Sequence, residues 1–186
     1  MQPNEYQQLA ARTLIDNPDG EYTYHQIEAI LSAIDLFVEV GKHIDYLKKG
    51  IFHQHGIKQA VVQEQLENIE WKYSTLANGI STINEQSGRK HHLTPWQIML
   101  LWNLTGVGGE SSEFIEYIVN CINENTPIDR DIVTKEAGDM EWYTNGSLTK
   151  LGINFEDVLI ANIEKLEKRY PNGYSSEASK VKGELL

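Results

Sequence analysis

The chain has 186 residues, 40% of them hydrophobic and 23% charged, which is the composition of a globular protein with a sizeable core. Its formal net charge of −11 argues against a nucleic-acid-binding protein, because the phosphate backbone is bound by basic surfaces. The sequence contains no apolar run near the roughly 20 residues that span a bilayer, so we expect no membrane-spanning segment.

Hydrophobic periodicity of the helical kind predicts an all-α fold with six helices in succession. The first is expected from about Glu5 to Leu14 and the second from Tyr24 to Lys49, with Gly50 as its end. The third is expected from Lys58 to about Leu76. A polar segment, 84–93, follows and is predicted to be a linker.

The fourth helix has the clearest start signal in the chain. Thr94 is suited to cap it, Pro95 to the first helical position, and Gln97 to complete a capping box. This helix is predicted to continue to about Asn123, with a bend at the glycines of "GVGG" (106–109).

The fifth helix is predicted from Asp131 to Leu151, ending at Gly152. The sixth is predicted to begin after Asn154, which is suited to cap it, and to end at "RYP" before Pro171. The polar tail, 172–186, is predicted to be loose.

An internal repeat emerges when the chain is compared with itself at an offset of 71 residues. At this offset "IDYLKKGI" lies over "IEYIVNCI" and "NIEWKY" over "DMEWYT", so that Trp71 corresponds to Trp142. We therefore predict two tandem helix-pair repeats, 1–83 and 94–171, that form one compact domain.

Four acidic residues form two i, i+3 pairs, Glu110 with Glu113 and Glu136 with Asp139. Residues three apart share one face of a helix, and the short connection "NENTPID" returns the second helix antiparallel to the first, so the pairs are expected to face each other. Clustered carboxylates without His or Cys favour a hard cation, Mg²⁺ or Mn²⁺. Two alternatives remain: ordinary solvated helix faces, and a ferritin-like di-iron site, which needs Glu-x-x-His pairs that the sequence lacks.

The first repeat keeps only one of these carboxylates. The residues at the four corresponding positions, in the same order, are Glu39, Lys42, Gln65 and Asn68. The pattern predicts one acidic cluster and one copy that retains the helices without the charge.

An ExxE motif, a gap of 22 residues and an ExxD motif resemble the MazG-like all-α nucleoside triphosphate pyrophosphohydrolases. Other segments are similar to this family as well: the opening "NEYQQLAARTL", the closing "ANIEKLEKRYPNGYSSEAS", and "KKGIFHQHGI", which is similar to the family's segment after its first acidic helix. Together the similar segments cover most of the chain. One departure is that the lysines of "KKGIFHQHGI" stand in the repeat that lost its acids.

The resemblance implies a helical bundle of the all-α NTP pyrophosphatase type that hydrolyses (d)NTP to (d)NMP and pyrophosphate. The four acids would hold Mg²⁺, or Mn²⁺, and one of them would activate water; which one stays open. Further residues would bind the nucleotide, namely Lys48, Lys49, Asn162, Lys165, Arg169 and Trp142. We hypothesise that the first repeat is a catalytically silent partner that lends phosphate contacts to the second.

Each assignment has a plainer alternative. Lys48 and Lys49 lie where cations complement the carboxyl end of a helix, the sixth-helix residues suit a solvated face, and Trp142 suits a core. The protein as a whole could be a non-catalytic nucleotide-binding, sensing or interaction bundle. Members of the family pair as subunits, and both a homodimer and pairing within one chain are compatible with the duplication.

The expected location is the cytoplasm, of a bacterial cell or of a phage-infected host. The N-terminal residues do not resemble a signal peptide, and the single cysteine, Cys121, excludes an intramolecular disulfide. Cys121 lies in an apolar helical stretch and is expected to be a buried structural thiol.

Overall fold

A computed structural model describes residues 1–14, 21–83 and 90–175 of the chain. In these ranges the protein is all-α, as predicted, and extended pairing is limited to isolated bridges between Thr23 and Lys90 and between Pro171 and Gly173. The helices are α1 (Pro3–Ala11), α2 (Tyr24–Phe52), α3 (Gln59–Ser81), α4 (Pro95–Glu124), α5 (Arg130–Leu151) and α6 (Phe155–Arg169). None of the described helices is both long and apolar enough to cross a lipid bilayer.

The chain divides into two compact units. The first unit contains α1, α4, α5 and the start of α6 as far as Ile160, and α5 packs against both α1 and α4. The second unit contains the α2–α3 hairpin and α6 from Ala161 onward. Most of the predicted linker and of the predicted loose tail, 84–89 and 176–186, lies outside the described residues.

The core of the first unit is formed largely by apolar side chains of α4, and two asparagines, one on α4 and one on α5, are buried with them. Asn103 and Asn145 are 0% and 1% exposed, and their amide nitrogens donate to backbone oxygens one turn earlier in their own helices, those of Met99 and Glu141. Cys121 is buried, as predicted, with its Sγ 4.0 Å from the Pro127 carbonyl oxygen.

The start of α4 is confirmed in detail. The Gln97 amide donates to the Thr94 hydroxyl at 3.3 Å and the Thr94 amide donates to the Gln97 side chain at 2.8 Å, so the capping box is complete. The end of α5 is confirmed too, because Gly152 adopts a left-handed conformation, φ 69°, that a glycine reaches without strain.

Three predicted helix ends are wrong. The first helix ends at Ala11 rather than near Leu14, α3 extends to Ser81 rather than Leu76, and α2 continues through Gly50 to Phe52. Gly50 does not end α2; a Cβ at this position would collide with Ile57, so the glycine permits a close approach of the following loop. Helix α4 is likewise continuous through the glycines of "GVGG" (106–109).

The start of α6 uses partners that lie far away in sequence. The backbone amide of Phe155 donates to the Gln7 side chain at 2.9 Å, and that of Glu156 donates to the Asn4 side chain at 3.1 Å. The Asn154 side chain, the predicted cap, instead donates to Asp157 at 3.3 Å. Two side chains of α1 thus satisfy helix-start amides that would otherwise need a local cap.

Candidate metal site on the α4–α5 hairpin

The four acids of the motif lie on the facing helices of the α4–α5 hairpin. Glu110 and Glu113 belong to α4, and Glu136 and Asp139 belong to α5. Because each pair is spaced i, i+3, both members project from one side of their helix. Glu110 and Glu136 are half-buried, whereas Glu113 and Asp139 are exposed.

The connection between the helices is held by local hydrogen bonds. Asn125 ends α4 in a left-handed conformation, φ 52°, and the Thr126 amide donates to the Cys121 carbonyl at 3.0 Å. The Asp129 carboxylate accepts from the Asp131 amide at 2.8 Å and so caps α5. This short turn returns α5 alongside α4, as the sequence predicted.

Three of the acids converge. Glu110, Glu113 and Glu136 each have one carboxylate oxygen within 4.8 Å of the oxygens of the other two. Among the described residues, Asp139 does not belong to this group. Asp139 remains close enough for its charge to raise the pKa of Glu110 and of Tyr143. The structure therefore separates the predicted set of four into three converging carboxylates and one neighbour.

The convergence has an electrostatic cost. Desolvation by partial burial raises the pKa of the Glu110 carboxyl above its ordinary value, and the negative charges of Glu113, Asp139 and Glu136 raise it further. A raised pKa means that ionised Glu110 is disfavoured where it lies. A nearby positive charge would remove that penalty.

Two tyrosines border the acids. Tyr143 packs closely against Gly106 of α4, where an added Cβ would collide with the ring. Burial and the charges of Glu110 and Asp139 raise the pKa of the Tyr143 hydroxyl. Tyr143 lies four residues after Asp139 on α5, so helical spacing could have identified it as a neighbour of the site.

The second tyrosine, Tyr6, comes from α1. Its hydroxyl donates to the Gly138 carbonyl at 3.5 Å, a long and therefore weak hydrogen bond. Burial raises the pKa of Tyr6, as do the charges of Glu141 and Asp139. No sequence signal could have identified this residue, because its proximity depends on how α1 packs against α5.

Trp142, one of the residues predicted to bind the nucleotide, belongs to a cluster of three rings. Its ring centroid lies 5.7 Å from that of Trp102 and 4.7 Å from that of Tyr143, both in edge-to-face geometry. The indole N–H donates to the Thr13 hydroxyl at 2.8 Å. These contacts account for Trp142 as a packing residue, and its role in nucleotide binding stays a prediction.

The serines of "GESSEFIE" are engaged with their own helix. The Ser111 hydroxyl donates to the Val107 carbonyl at 2.5 Å, and the Ser112 hydroxyl to the Gly108 carbonyl at 2.9 Å.

The other predicted substrate-binding residues belong to the second unit. On α2, the ammonium groups of Lys48 and Lys49 both pair with Asp45, the former at 2.7 Å. On α6, Asn162 and Lys165 are exposed. The Arg169 guanidinium lies 5.7 Å from the ring centre of Tyr170. Lys48, Lys49 and Arg169 thus each contact another side chain of the protein, and Lys165 is exposed to solvent.

The donor set fits a hard divalent cation. Three carboxylates supply oxygen ligands alone, which is the chemistry preferred by Mg²⁺ and Mn²⁺, and their separation is short enough for one ion to contact all three. The raised pKa of Glu110 points the same way, because a group of like charges is stabilised by a cation among them.

Comparison of the chain with family models, with curated proteins and with solved structures gives no match.

Proposed function

We propose that the protein is a nucleoside triphosphate pyrophosphohydrolase whose α4–α5 hairpin holds Mg²⁺ or Mn²⁺. The observation that carries the proposal is the convergence of Glu110, Glu113 and Glu136 to within 4.8 Å. The motif spacing, which resembles that of the MazG-like enzymes, supplies the reaction: (d)NTP and water give (d)NMP and pyrophosphate. A cation held there would supply positive charge to polyphosphate oxygens and polarise the phosphoanhydride.

The chain's own contribution begins with charge. The protein carries a net charge of −11, so an anionic nucleotide is repelled by the chain as a whole. Glu110, Glu113 and Glu136 concentrate negative charge at one point and so select a cation there. The cation held by these acids would then attract the triphosphate to the same place.

Asp139 is assigned the role of the base. It is exposed and stands outside the group of three converging carboxylates, so one of its oxygens is available to water. In the proposed reaction a water oxygen forms a bond to the α-phosphorus while the bond to the bridging oxygen breaks. Pyrophosphate leaves, and Asp139 accepts the proton that water loses.

The tyrosines beside the acids have supporting roles. Tyr143 fills the space over Gly106 and so sets how closely α5 approaches α4 one turn before Glu110. Tyr6 ties α1 to α5 at Gly138, next to Asp139. The Tyr143 hydroxyl can donate a hydrogen bond to a carboxylate or a phosphate, whereas the Tyr6 hydroxyl donates its single proton to the Gly138 carbonyl.

A product assay tests the proposal. The protein is incubated with ribo-, deoxy- and oxidised nucleoside triphosphates and with Mg²⁺ or Mn²⁺, and pyrophosphate and monophosphate are quantified. Equal amounts of the two products, abolished by a chelator, support the enzyme. Nucleotide binding without turnover of any nucleotide would instead favour the non-catalytic binding or sensing protein.

The same assay tests whether Lys48 and Lys49 bind the substrate, as the sequence predicts. Replacing both Lys48 and Lys49 with alanine is expected to raise KM if these lysines contribute to phosphate binding. An unchanged KM would contradict that role and leave their pairing with Asp45 as their function.

A further inference from the structure

Two hydrogen bonds repeat at the same offset in the two hairpins. The Lys58 amide donates to the Tyr46 hydroxyl at 2.8 Å, and the Asp129 amide donates to the Tyr117 hydroxyl at 2.8 Å. Each donor lies 71 residues from its counterpart, and so does each acceptor. The connection of the α2–α3 hairpin is therefore built like that of the α4–α5 hairpin.

The starts of the helices repeat as well. The capping box of Thr23 and Gln26 at α2 corresponds to that of Thr94 and Gln97 at α4. Similarly, α3 begins at Gln59 and α5 at Arg130, again 71 residues apart. Positions in the two hairpins can thus be compared residue by residue.

At the position of Glu113 the α2–α3 hairpin carries Lys42. The Lys42 ammonium lies 2.7 Å from the Glu39 carboxylate, and Glu39 is the counterpart of Glu110. The side chain of Glu39 is 18% exposed, so its charge lies mostly out of water, whereas the longer side chain of Lys42 is 60% exposed. A lysine thus neutralises Glu39, the one carboxylate retained at the four positions that correspond to the acidic motif.

The α3 side of the hairpin is altered in a matching way. Gln65, the counterpart of Glu136, is neutral, and its Oε1 lies 2.9 Å from the His43 Nδ1. His43 stands where α4 carries Phe114. The side-chain oxygen of Gln65 stands at the position of the Glu136 carboxylate, but it is hydrogen-bonded to His43 of α2.

We propose that the ammonium of Lys42 is the resident cation of the α2–α3 hairpin: it neutralises Glu39 in the way that a bound divalent ion would neutralise Glu110 in the α4–α5 hairpin. The comparison rests on the proposed function of the α4–α5 acids. The charges of the two sites explain the replacement. The charges of Glu39 and Lys42 sum to zero, whereas the four acids of the α4–α5 hairpin leave negative charge that no neighbouring lysine of the motif compensates. The α2–α3 hairpin accordingly binds no divalent ion and stays folded without one.

The test removes the ammonium from a chain in which two of the four α4–α5 acids are neutralised, by Glu113→Gln and Glu136→Gln. In this background we compare three proteins by titrating Mn²⁺ and measuring the free ion by electron paramagnetic resonance. The first has no further change, the second adds Lys42→Gln, Gln65→Glu and Asn68→Asp, and the third adds Gln65→Glu and Asn68→Asp but retains Lys42, so that the second and third offer the same three carboxylates and differ only in the ammonium.

The background protein is expected to bind no Mn²⁺ tightly and the second protein to bind one ion. The third, which keeps the ammonium, is expected to bind Mn²⁺ at least about tenfold more weakly than the second, because the lysine occupies the position of the ion. If the third protein binds as tightly as the second, Lys42 is not the resident cation.

The second protein could require the ion in order to fold. In that case added Mn²⁺ should induce its helical circular dichroism signal, and the absence of any Mn²⁺-induced signal or binding would overturn the proposal. The wild-type chain provides the separate test of the α4–α5 site. If it binds no Mn²⁺, the proposed function fails, while the comparison of the second and third proteins still decides the role of Lys42.

Discussion

The backbone amide of Asp129 donates a 2.8 Å hydrogen bond to the hydroxyl of Tyr117 across the connection between α4 and α5. Tyr117 lies seven residues, about two helical turns, after Glu110, and Asp129 lies seven residues before Glu136. The bond therefore helps to fix the register in which the two carboxylates meet. The equivalent bond between Lys58 and Tyr46 lies in a hairpin without the acidic cluster.

This pair of bonds yields a matched prediction. Tyr117→Phe and Tyr46→Phe are each expected to lower the free energy of unfolding by about 1 kcal/mol, since each removes one hydrogen bond. Only Tyr117→Phe is expected to weaken Mn²⁺ binding, by about tenfold, because only its hairpin positions the acids. Urea unfolding and Mn²⁺ titration measure the two effects, and equal Mn²⁺ affinities in the two variants would contradict the positioning role.

The contact between Gly106 and Tyr143 yields a second prediction. Gly106→Ala is expected to cost about 1–3 kcal/mol of stability, because the new methyl group must displace the tyrosine ring. Gly108→Ala is the control: a Cβ there meets nothing within 4 Å, so the substitution should stabilise the helix by about 0.5–1 kcal/mol. Thermal unfolding distinguishes the two, and a stabilised Gly106→Ala protein would rule out the close packing of Tyr143.

The assignment of Asp139 as the base can be separated from cation binding. Asp139→Asn is expected to lower kcat by about a hundredfold or more, the contribution typical of a general base, while Mn²⁺ affinity falls by less than about tenfold. Steady-state kinetics and Mn²⁺ titration on the same protein measure both quantities. If affinity and kcat fall together to the same extent, Asp139 acts as a ligand instead.

The ion pairs of Asp45 predict a dependence of stability on pH. Hydrogen bonds from Lys48 and Lys49 hold the pKa of the Asp45 carboxyl at about 2, below its ordinary 3.8. A lowered pKa in the folded state means that the stabilisation is present above about pH 4 and is lost as the pH falls through about 2. Because the pairs are largely exposed, their contribution is small, about 1 kcal/mol in total.

Asp45→Asn should accordingly be less stable than wild type by about 1 kcal/mol near pH 7, and the difference should shrink below about pH 4 and vanish below about pH 2. Urea unfolding of both proteins across this range measures it. A difference that persists unchanged at low pH would mean that Asp45 stabilises α2 through something other than its charge.

Local signals in the sequence predicted the parts of the fold that depend on neighbouring residues. The capping box at Thr94 and the left-handed end at Gly152 are formed by residues a few positions apart, and both predictions are confirmed. The end assigned to Gly50 was wrong because that glycine serves a contact with Ile57, which no helix-end rule takes into account. The contacts of Asn4 and Gln7 with the start of α6 span about 150 residues and leave no local signature.

The candidate site shows the same limit. Spacing placed the four acids on facing helices, but it could not separate Asp139 from the three carboxylates that converge, because that depends on side-chain direction. The ion pair between Glu39 and Lys42, by contrast, is a contact that i, i+3 spacing on a helix favours.

The central claim is tested most directly by Mg²⁺-dependent pyrophosphate release from the wild-type protein and from two variants of α4. Glu113 belongs to the converging group and Glu116, one turn later on the same helix, does not. We expect Glu113→Gln to lose at least about a hundredfold in kcat/KM and Glu116→Gln to stay within about threefold of wild type, with helical content unchanged in both. Equal activity in the two variants, or a wild-type protein that releases no pyrophosphate from any nucleotide, would contradict the account.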